Sequence, residues 1–401
     1  MASERPYDIV LFGATGFAGS LTAEYLASHA PDEMRWALAG RSRAKLETVR
    51  GRLGKRWSDL ALLQADVADD ASLRQLAESA RVVITTVGPY VRYGDALVAA
   101  CASAGTDYVD LTGEPEFVDL CYVRYHQRAV QTGARLVHSC GFDSVPHDLG
   151  AYFTVRQLPE GVPLRVRGFV RASAAISGGT FQSVLTGFSR ARANMGAAKE
   201  RRRIEARPQG RRARAVTGRL HRDPYAQAWA VPLPTIDGQV VGRSARAVER
   251  YGPDFTYTHF AAVRRLPVAL GGIASVAGLM GLAQIPPARN WLAGRLPAGK
   301  GPSAQKRAKS WFTVRFVGEG GGERVITEVS GGDPGYDETA KMLAESAMCL
   351  AFDDLPTTSG QVTTAAAMGD ALIERLTAAG MLFTVLEQAP TRPPTRATAR
   401  A

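Results

Sequence analysis

The sequence predicts an α/β protein, with an N-terminal doubly wound (Rossmann) parallel sheet followed by a second, α+β domain. Three observations carry this. The apolar run Ile9-Val10-Leu11-Phe12 breaks into the spaced glycines Gly13, Gly16 and Gly19 and then into a helix-forming segment. Strand-like and helix-like segments alternate with little slack over residues 1–150. From about residue 151 the texture changes to that of an open sheet with helices.

A chain of 401 residues, 45% hydrophobic and 22% charged, is long enough for two domains with cores of their own. Cys101, Cys121, Cys140 and Cys349 show neither a C-x-x-C pair nor zinc spacing, which fits a reduced, intracellular protein; no metal site is expected. The segment Met-Ala-Ser-Glu-Arg-Pro before the first strand has no apolar h-region, so no secretory signal is expected. The net charge of +11 is local, because twelve Lys/Arg against two Glu fall between Arg190 and Arg222. Almost no aromatic residues are interleaved there, so nucleic acid is not an expected partner. A solvated face, or attraction to anionic lipid or an acidic carrier protein, both remain open.

The first domain can be taken strand by strand. Asp8–Phe12 leads into a helix over Phe17–His29, and Trp36–Ala39 and Ala61–Gln64 are the second and third strands. Val82–Val87 is a buried fourth strand that stops at Gly88-Pro89. A helix over Asp95–Ser103, a strand around Tyr108–Asp110, a helix over Pro115–Thr132 stopped by Gly133, and a strand at Leu136–Ser139 complete the sheet.

The first turn has the chemistry of a dinucleotide site. Gly13 lets the chain reverse, Gly16 leaves room for a pyrophosphate, and Gly19 lets the helix pack close to the strand. Free N–H groups and the dipole at the helix start then face the phosphates. The spacing is G-x-x-G-x-x-G rather than G-x-G-x-x-G, so Thr15 is expected to help hold phosphate, with Phe17 at the first helical position. After the second strand stands Gly40-Arg41-Ser42-Arg43, with Lys45 near, where an NAD-binding domain would carry Asp or Glu. Arg41 and Ser42 suit a 2′-phosphate, which favours NADP(H). Asp66 and Val67 are placed to flank the adenine, although Asp66 could equally cap the next helix. Thr86, Val87, Gly88 and Pro89 fall where the sheet edge meets the nicotinamide half.

In the second domain, Val166–Ala172, Tyr257–Val263, Trp311–Val317 and Arg324–Val329 read as strands, the last two joined through Gly318–Gly322. Ser177–Phe181 reads as a turn into a helix, and Arg190–Arg222 as a partly mobile helix and loop. Leu266–Ile285 is twenty residues without a charge, between Arg264-Arg265 and Arg289, and just long enough to cross a bilayer. Its four glycines and one proline lower its hydrophobicity. Buried core or homodimer face, contact with a membrane surface, and a true span remain open for it. Helices over Asp337–Ala351 and Thr363–Leu376 follow. The expected division is a nucleotide-binding domain over 1–150, a substrate and dimerisation domain over 151–344, helices returning to the first domain over 345–387, and a disordered tail over 388–401.

Several motifs occur in order: Asp8 to Phe17, Leu38-Ala39-Gly40-Arg41, Thr85 to Tyr90, Gly105 to Glu114, Cys140-Gly141-Phe142-Asp143-Ser144-Val145-Pro146, and Ala365 to Asp370. With them the chain resembles the saccharopine dehydrogenase-like oxidoreductases and, among these, the actinobacterial trans-acting enoyl reductases of lipid and polyketide assembly. The resemblance implies an NADP-binding domain, an inserted substrate domain and a C-terminal helix returning to the first. It also implies a cytoplasmic protein, peripheral on the inner face of the plasma membrane.

The uncharged stretch favours a hydrophobic acyl substrate, free or carrier-bound, over an amino-diacid whose carboxylates need fixed cations. Reducing an enoyl thioester takes a hydride at the β-carbon, a donor to the developing enolate oxygen and a proton at the α-carbon. The candidates are Tyr90 and Tyr93 as donors, and His147 as acid with Asp143 orienting it. Each has a plain structural reading too, with Tyr93 packing on the cleft and His147 capping the helix after Pro146. Asp110 and Glu114 read as structural caps. An imine or ketone reductase, and a non-catalytic NADPH-binding scaffold or sensor, are the rival functions.

Overall fold

The computed structural model describes residues 5–173, 185–295 and 301–390. Its first sheet forms from short strands, mostly buried except the half-buried edge strand β3: β1 (Tyr7–Phe12), β2 (Trp36–Gly40), β3 (Ala61–Gln64), β4 (Ala80–Thr85), β5 (Asp107–Asp110) and β6 (Arg135–Val137). A seventh strand, β14 (Gly360–Val362), adds to the far edge, giving the order β14-β6-β5-β4-β1-β2-β3 with every pairing parallel. The order reverses between β1 and β4, which opens a crevice at the carboxyl ends of those strands. Helices α1 (Phe17–His29), α2 (Arg43–Arg52), α3 (Asp70–Ser79), α4 (Tyr90–Tyr93), α5 (Asp95–Ala104) and α6 (Pro115–Thr132) join the strands. β4 ends at Thr85, so Thr86 and Val87 belong to the loop after it rather than to the strand.

The second sheet has eight strands in the order β15-β13-β12-β7-β11-β10-β9, with β8 beside β11. They are β7 (Leu164–Ser173), β8 (Arg212–Val216), β9 (His221–Asp223), β10 (Ala228–Pro232), β11 (Asp254–Val263), β12 (Trp311–Gly320), β13 (Glu323–Gly331) and β15 (Leu382–Pro390). The glycine turn is confined to Gly321-Gly322, at φ +60° and +82°, where side chains would be strained. Helix α7 (Val145–Arg156) packs on this sheet, with Gly150 against the Phe316 ring and Val329. The helix Asp237–Ala247 runs between the domains, with Val240 in the core shared with α6 and Val241 in the core shared with α7.

Several expectations change. A boundary at residue 150 cuts α7, and one at 344 cuts the single helix Asp337–Phe352, whose small and apolar residues pack on the first sheet. The helix expected over Thr363–Leu376 is two, Thr364–Ala367 and Gly369–Ala378, because Gly369 breaks it at φ +42° beside the Tyr152 ring. The region 345–387 is not all helical and residues 388–390 are not tail, because β15 pairs along β13 from Ser330↔Leu382 to Glu323↔Pro390. The basic stretch is a helix (Ala191–Ile204) followed by strands, and not all of its charge is solvated. Arg190 grips Glu116 of α6 at 2.7 and 2.5 Å, while Arg201 is buried between Asp119 at 3.4 Å and Glu205 at 2.8 Å. The turn expected at Ser177–Phe181 lies outside the described residues.

Candidate active site

The phosphate turn is built by sterics. Gly13 sits at φ +89°, and a Cβ there would lie 2.7 Å from Val87 Cγ2 and 2.8 Å from Thr86 Oγ1. The Thr86 hydroxyl donates to the Gly13 carbonyl at 3.1 Å, and a Cβ on Gly19 would strike that same carbonyl. Gly16 caps α1 with no side-chain cap and no acid in the first turn, and Thr15 and Gly16 are exposed. An uncapped, acid-free helix start reached by an exposed glycine fits a pyrophosphate. Phe17 also reaches outside this turn. Its ring meets Tyr336 edge-on at 4.8 Å and lies 5.7 Å from the Arg307 guanidinium, both from beyond the first domain.

At the end of β2, Arg41 is exposed and makes no ion pair among the described residues, whereas Arg43 pairs with Glu47 at 3.3 Å. An open guanidinium here fits a 2′-phosphate. Ser42 accepts from the Lys45 N–H at 3.5 Å as the cap of α2, which leaves its own O–H free to donate. Asp66 accepts from the Ala68 N–H at 3.0 Å, and the cap of α3 is Asp69 instead. Val67 and Val87 are half-buried beside the first core, and Pro89 precedes α4.

Tyr90 does not face the crevice. It is buried, its hydroxyl donates to the Thr85 carbonyl at 3.1 Å and accepts from the Leu111 N–H at 3.2 Å, and burial with nearby Asp110 pushes the phenol far up. Tyr90 therefore ties the ends of β4 and β5 together, and its expected role as donor to the enolate oxygen is corrected. Glu114 accepts from the N–H groups of Tyr90 and Val91 at 3.0 and 2.9 Å, and Asp110 from Thr112 and Ser139 at 3.0 and 2.8 Å; both are structural caps. Tyr93 is 43% exposed at the end of α4, with no hydrogen bond to the groups described next among the described residues.

The turn from β6 into α7 carries Asp143. Its Oδ2 lies 2.9 Å from where a Cβ on Gly113 would be, so the glycine after β5 lets this carboxylate sit at the sheet edge. Asp143 is exposed, and the protein packed beside it, with the Asp237 charge, pushes its carboxyl up to about 6. His147 is 2% exposed, with Nδ1 3.1 Å from Asp237 Oδ1, but neither ring nitrogen makes a well-aligned hydrogen bond among the described residues. The carboxylate that orients His147 is thus Asp237, at the start of the helix Asp237–Ala247, and not Asp143 as expected. Burial works to raise Asp237, but the imidazole of His147 beside it, with His259 and the Thr235 hydroxyl, holds it below the usual range.

His259 on β11 completes the group, its Nε2 3.6 Å from Asp237 and its Nδ1 2.9 Å from the Tyr257 hydroxyl. Burial pushes it down to about 4 despite the neighbouring carboxylate. Ligand atoms of His147, Asp237 and His259 all lie within 4.8 Å of one another. That is a donor set able to close on a metal ion, where none was expected. Asp237, Tyr257 and His259 escape the sequence because each comes from an element about a hundred residues from His147; the only local signal is the Tyr-x-His alternation on one strand face.

Comparison with known proteins agrees with this architecture. Residues 9–137 match the family described as saccharopine dehydrogenase NADP binding domain. A Mycobacterium tuberculosis protein with a provisional trans-acting enoyl reductase name is 39% identical over 95% of this chain and 97% of its own. A trans-acting enoyl reductase of Mycobacterium bovis is 37% identical over 95% and 98%. Among solved structures, the L-Glu-forming saccharopine dehydrogenase of Saccharomyces cerevisiae aligns over 96% of this chain and 100% of its own, with a TM-score of 0.53 at 14% identity, and so shares the fold. The chain belongs to the trans-acting enoyl reductase family and is an NADP(H)-dependent oxidoreductase built on a saccharopine dehydrogenase-type nucleotide-binding domain.

Proposed function

We propose that the protein is an enoyl reductase that acts in trans on a hydrophobic acyl or polyketide-type thioester, free or carrier-bound. The observation that carries the reading is the placement of Asp143 at the sheet's carboxyl edge, in the space that Gly113 leaves open, beside His147 and Asp237. The names of the relatives support the reaction class. The charge at the cleft supports an uncharged substrate, because the ionised Asp237 opposes a dicarboxylate.

Bound NADPH supplies the hydride for the β-carbon. The turn Gly13 to Gly19 holds its pyrophosphate, Arg41 with Ser42 its 2′-phosphate, and Thr86 to Pro89 the edge on which its reactive end rests. Asp143, protonated in a larger fraction near neutral pH than an ordinary carboxyl, delivers a proton to the α-carbon. His147, beside Asp237 at 3.1 Å, lies near Asp143 at the same junction.

The test is NADPH oxidation by the purified protein with trans-2-enoyl thioesters of increasing chain length. Turnover that rises with chain length is expected, and Arg41→Ala should raise the KM for NADPH about tenfold or more with little effect on that for NADH. Turnover with an amino-diacid imine and none with enoyl thioesters would replace this reading.

A further inference from the structure

The helix Leu266–Ala283 has a mean hydropathy of 1.8 and no charge, yet only Ala269 and Ala283 are buried. Val268, Leu270, Ile273, Val276, Met280 and Leu282 are 40–60% exposed, and Ile285 just beyond is 51% exposed. At 3.6 residues per turn these side chains fall round the whole circumference of the helix rather than on one stripe. A second copy or a rigid protein partner would cover one side of such a cylinder. Hydrocarbon chains cover all of it.

The ends say how it sits. The two buried alanines lie near opposite ends of the helix, so it lies along the body of the protein. Its last turn is held by Gln284, which donates to the Phe188 carbonyl at 2.7 Å. The chain then returns to the same sheet at Trp311, and residue 301 touches Phe17 of the first domain. A full crossing would strand that return on the wrong side of a bilayer. Charge marks the outer rim: Arg264 and Arg265 are exposed just before the helix. The helix Ala191–Ile204, which starts directly after the Phe188 contact, exposes Arg192, Lys199, Arg202 and Arg203 without an ion pair among the described residues.

We infer that the helix Leu266–Ala283, with Ile285, inserts into one leaflet of an anionic lipid bilayer while Arg264, Arg265 and the basic helix rest on its headgroups. The docking is independent of the reaction proposed above and is read without turnover.

The experiment is flotation of the full chain with phosphatidylcholine vesicles, with and without phosphatidylglycerol, at low and high salt. The protein should float with the anionic vesicles, less so at high salt. The triple variant Ile273→Asp, Val276→Asp, Met280→Asp should lose about tenfold or more in partitioning, and Arg264→Glu with Arg265→Glu should lose the preference for anionic lipid. These positions are exposed, so NADPH binding should be unchanged and serves as the folding check. Failure of the wild type to float, or flotation undiminished in the triple variant, overturns the inference. So does light scattering that shows a dimer dispersed by the triple variant, which would give the helix to a second copy.

Discussion

In the proposed mechanism Asp143 sets the acid–base behaviour at the residue scale. As the proton donor it must be protonated, and with a pKa of about 6 the rate of the chemical step is full below that pH and falls about tenfold per unit above it. A kcat profile should show that limb in the wild type, and Asp143→Asn should abolish it while lowering kcat about a hundredfold or more. His259 bears on stability in the opposite direction. It is pushed from 6.5 to about 4, so as pH falls the unfolded chain takes up a proton that the fold refuses. Stability is lost across that window, by about 3 kcal/mol at most. Asp143, protonated earlier in the fold than in the unfolded chain, offsets part of this between about pH 6 and 4. Urea unfolding at pH 7 and pH 5 should therefore show a smaller acid loss in His259→Gln than in the wild type. Gly13, Gly19 and Arg41 are legible in the sequence because their reasons are local: a positive φ, a carbonyl in the way, a charge after a strand. Tyr90 is not, because its partners are backbone groups of two strands that only the folded sheet brings to it.

Among the elements, the strand–turn–helix unit and the helix Pro115–Thr132 match their expected spans closely, because buried runs and glycine stops mark both kinds of boundary. β14 is invisible in the sequence, since Gly-Gln-Val is too short to show a period and becomes a strand only by pairing with β6. β15 resembles helix and tail there, because its row of backbone donors finds a partner only in β13. The basic segment shows the same limit. Its charge is legible, but the counter-charges wait on α6, where Asp119 meets both Arg201 and Arg243. Burial and the neighbouring Arg201 push Arg243 down to about 10. Removing the shared carboxylate leaves Arg243 without its carboxylate and Arg201 with Glu205 alone, so Asp119→Ala should lower stability by about 3 kcal/mol. A denaturant midpoint shifted by no more than that of an exposed substitution would show that the ion pairs contribute little.

Across the whole molecule, the two domains meet around α7 and the helix Asp237–Ala247, with the candidate acid–base group at their junction. A buried tie holds this junction: Asp148 of α7 accepts from the Thr364 hydroxyl at 2.7 Å and the Ala365 N–H at 2.8 Å, and also from the Ser244 hydroxyl. The fold class is legible as a whole because alternation and hydrophobic runs are spread along the chain. The junction is not, because it is assembled from segments far apart in sequence.

The edge-on contact between Phe17 and Tyr336, with Arg307 above it, makes the nucleotide's first foothold a hinge plate shared by both domains. Whatever settles on Gly16 presses on a ring that the far domain also holds. Coenzyme binding should accordingly slow amide exchange in Ala304–Arg307, and Phe17→Ala should remove that protection while leaving part of the affinity. A reaction ordered in time, with the coenzyme seated before the second substrate, is the expected outcome. Steady-state inhibition should show it, with NADP⁺ competing against NADPH and the saturated thioester competing against neither reactant purely.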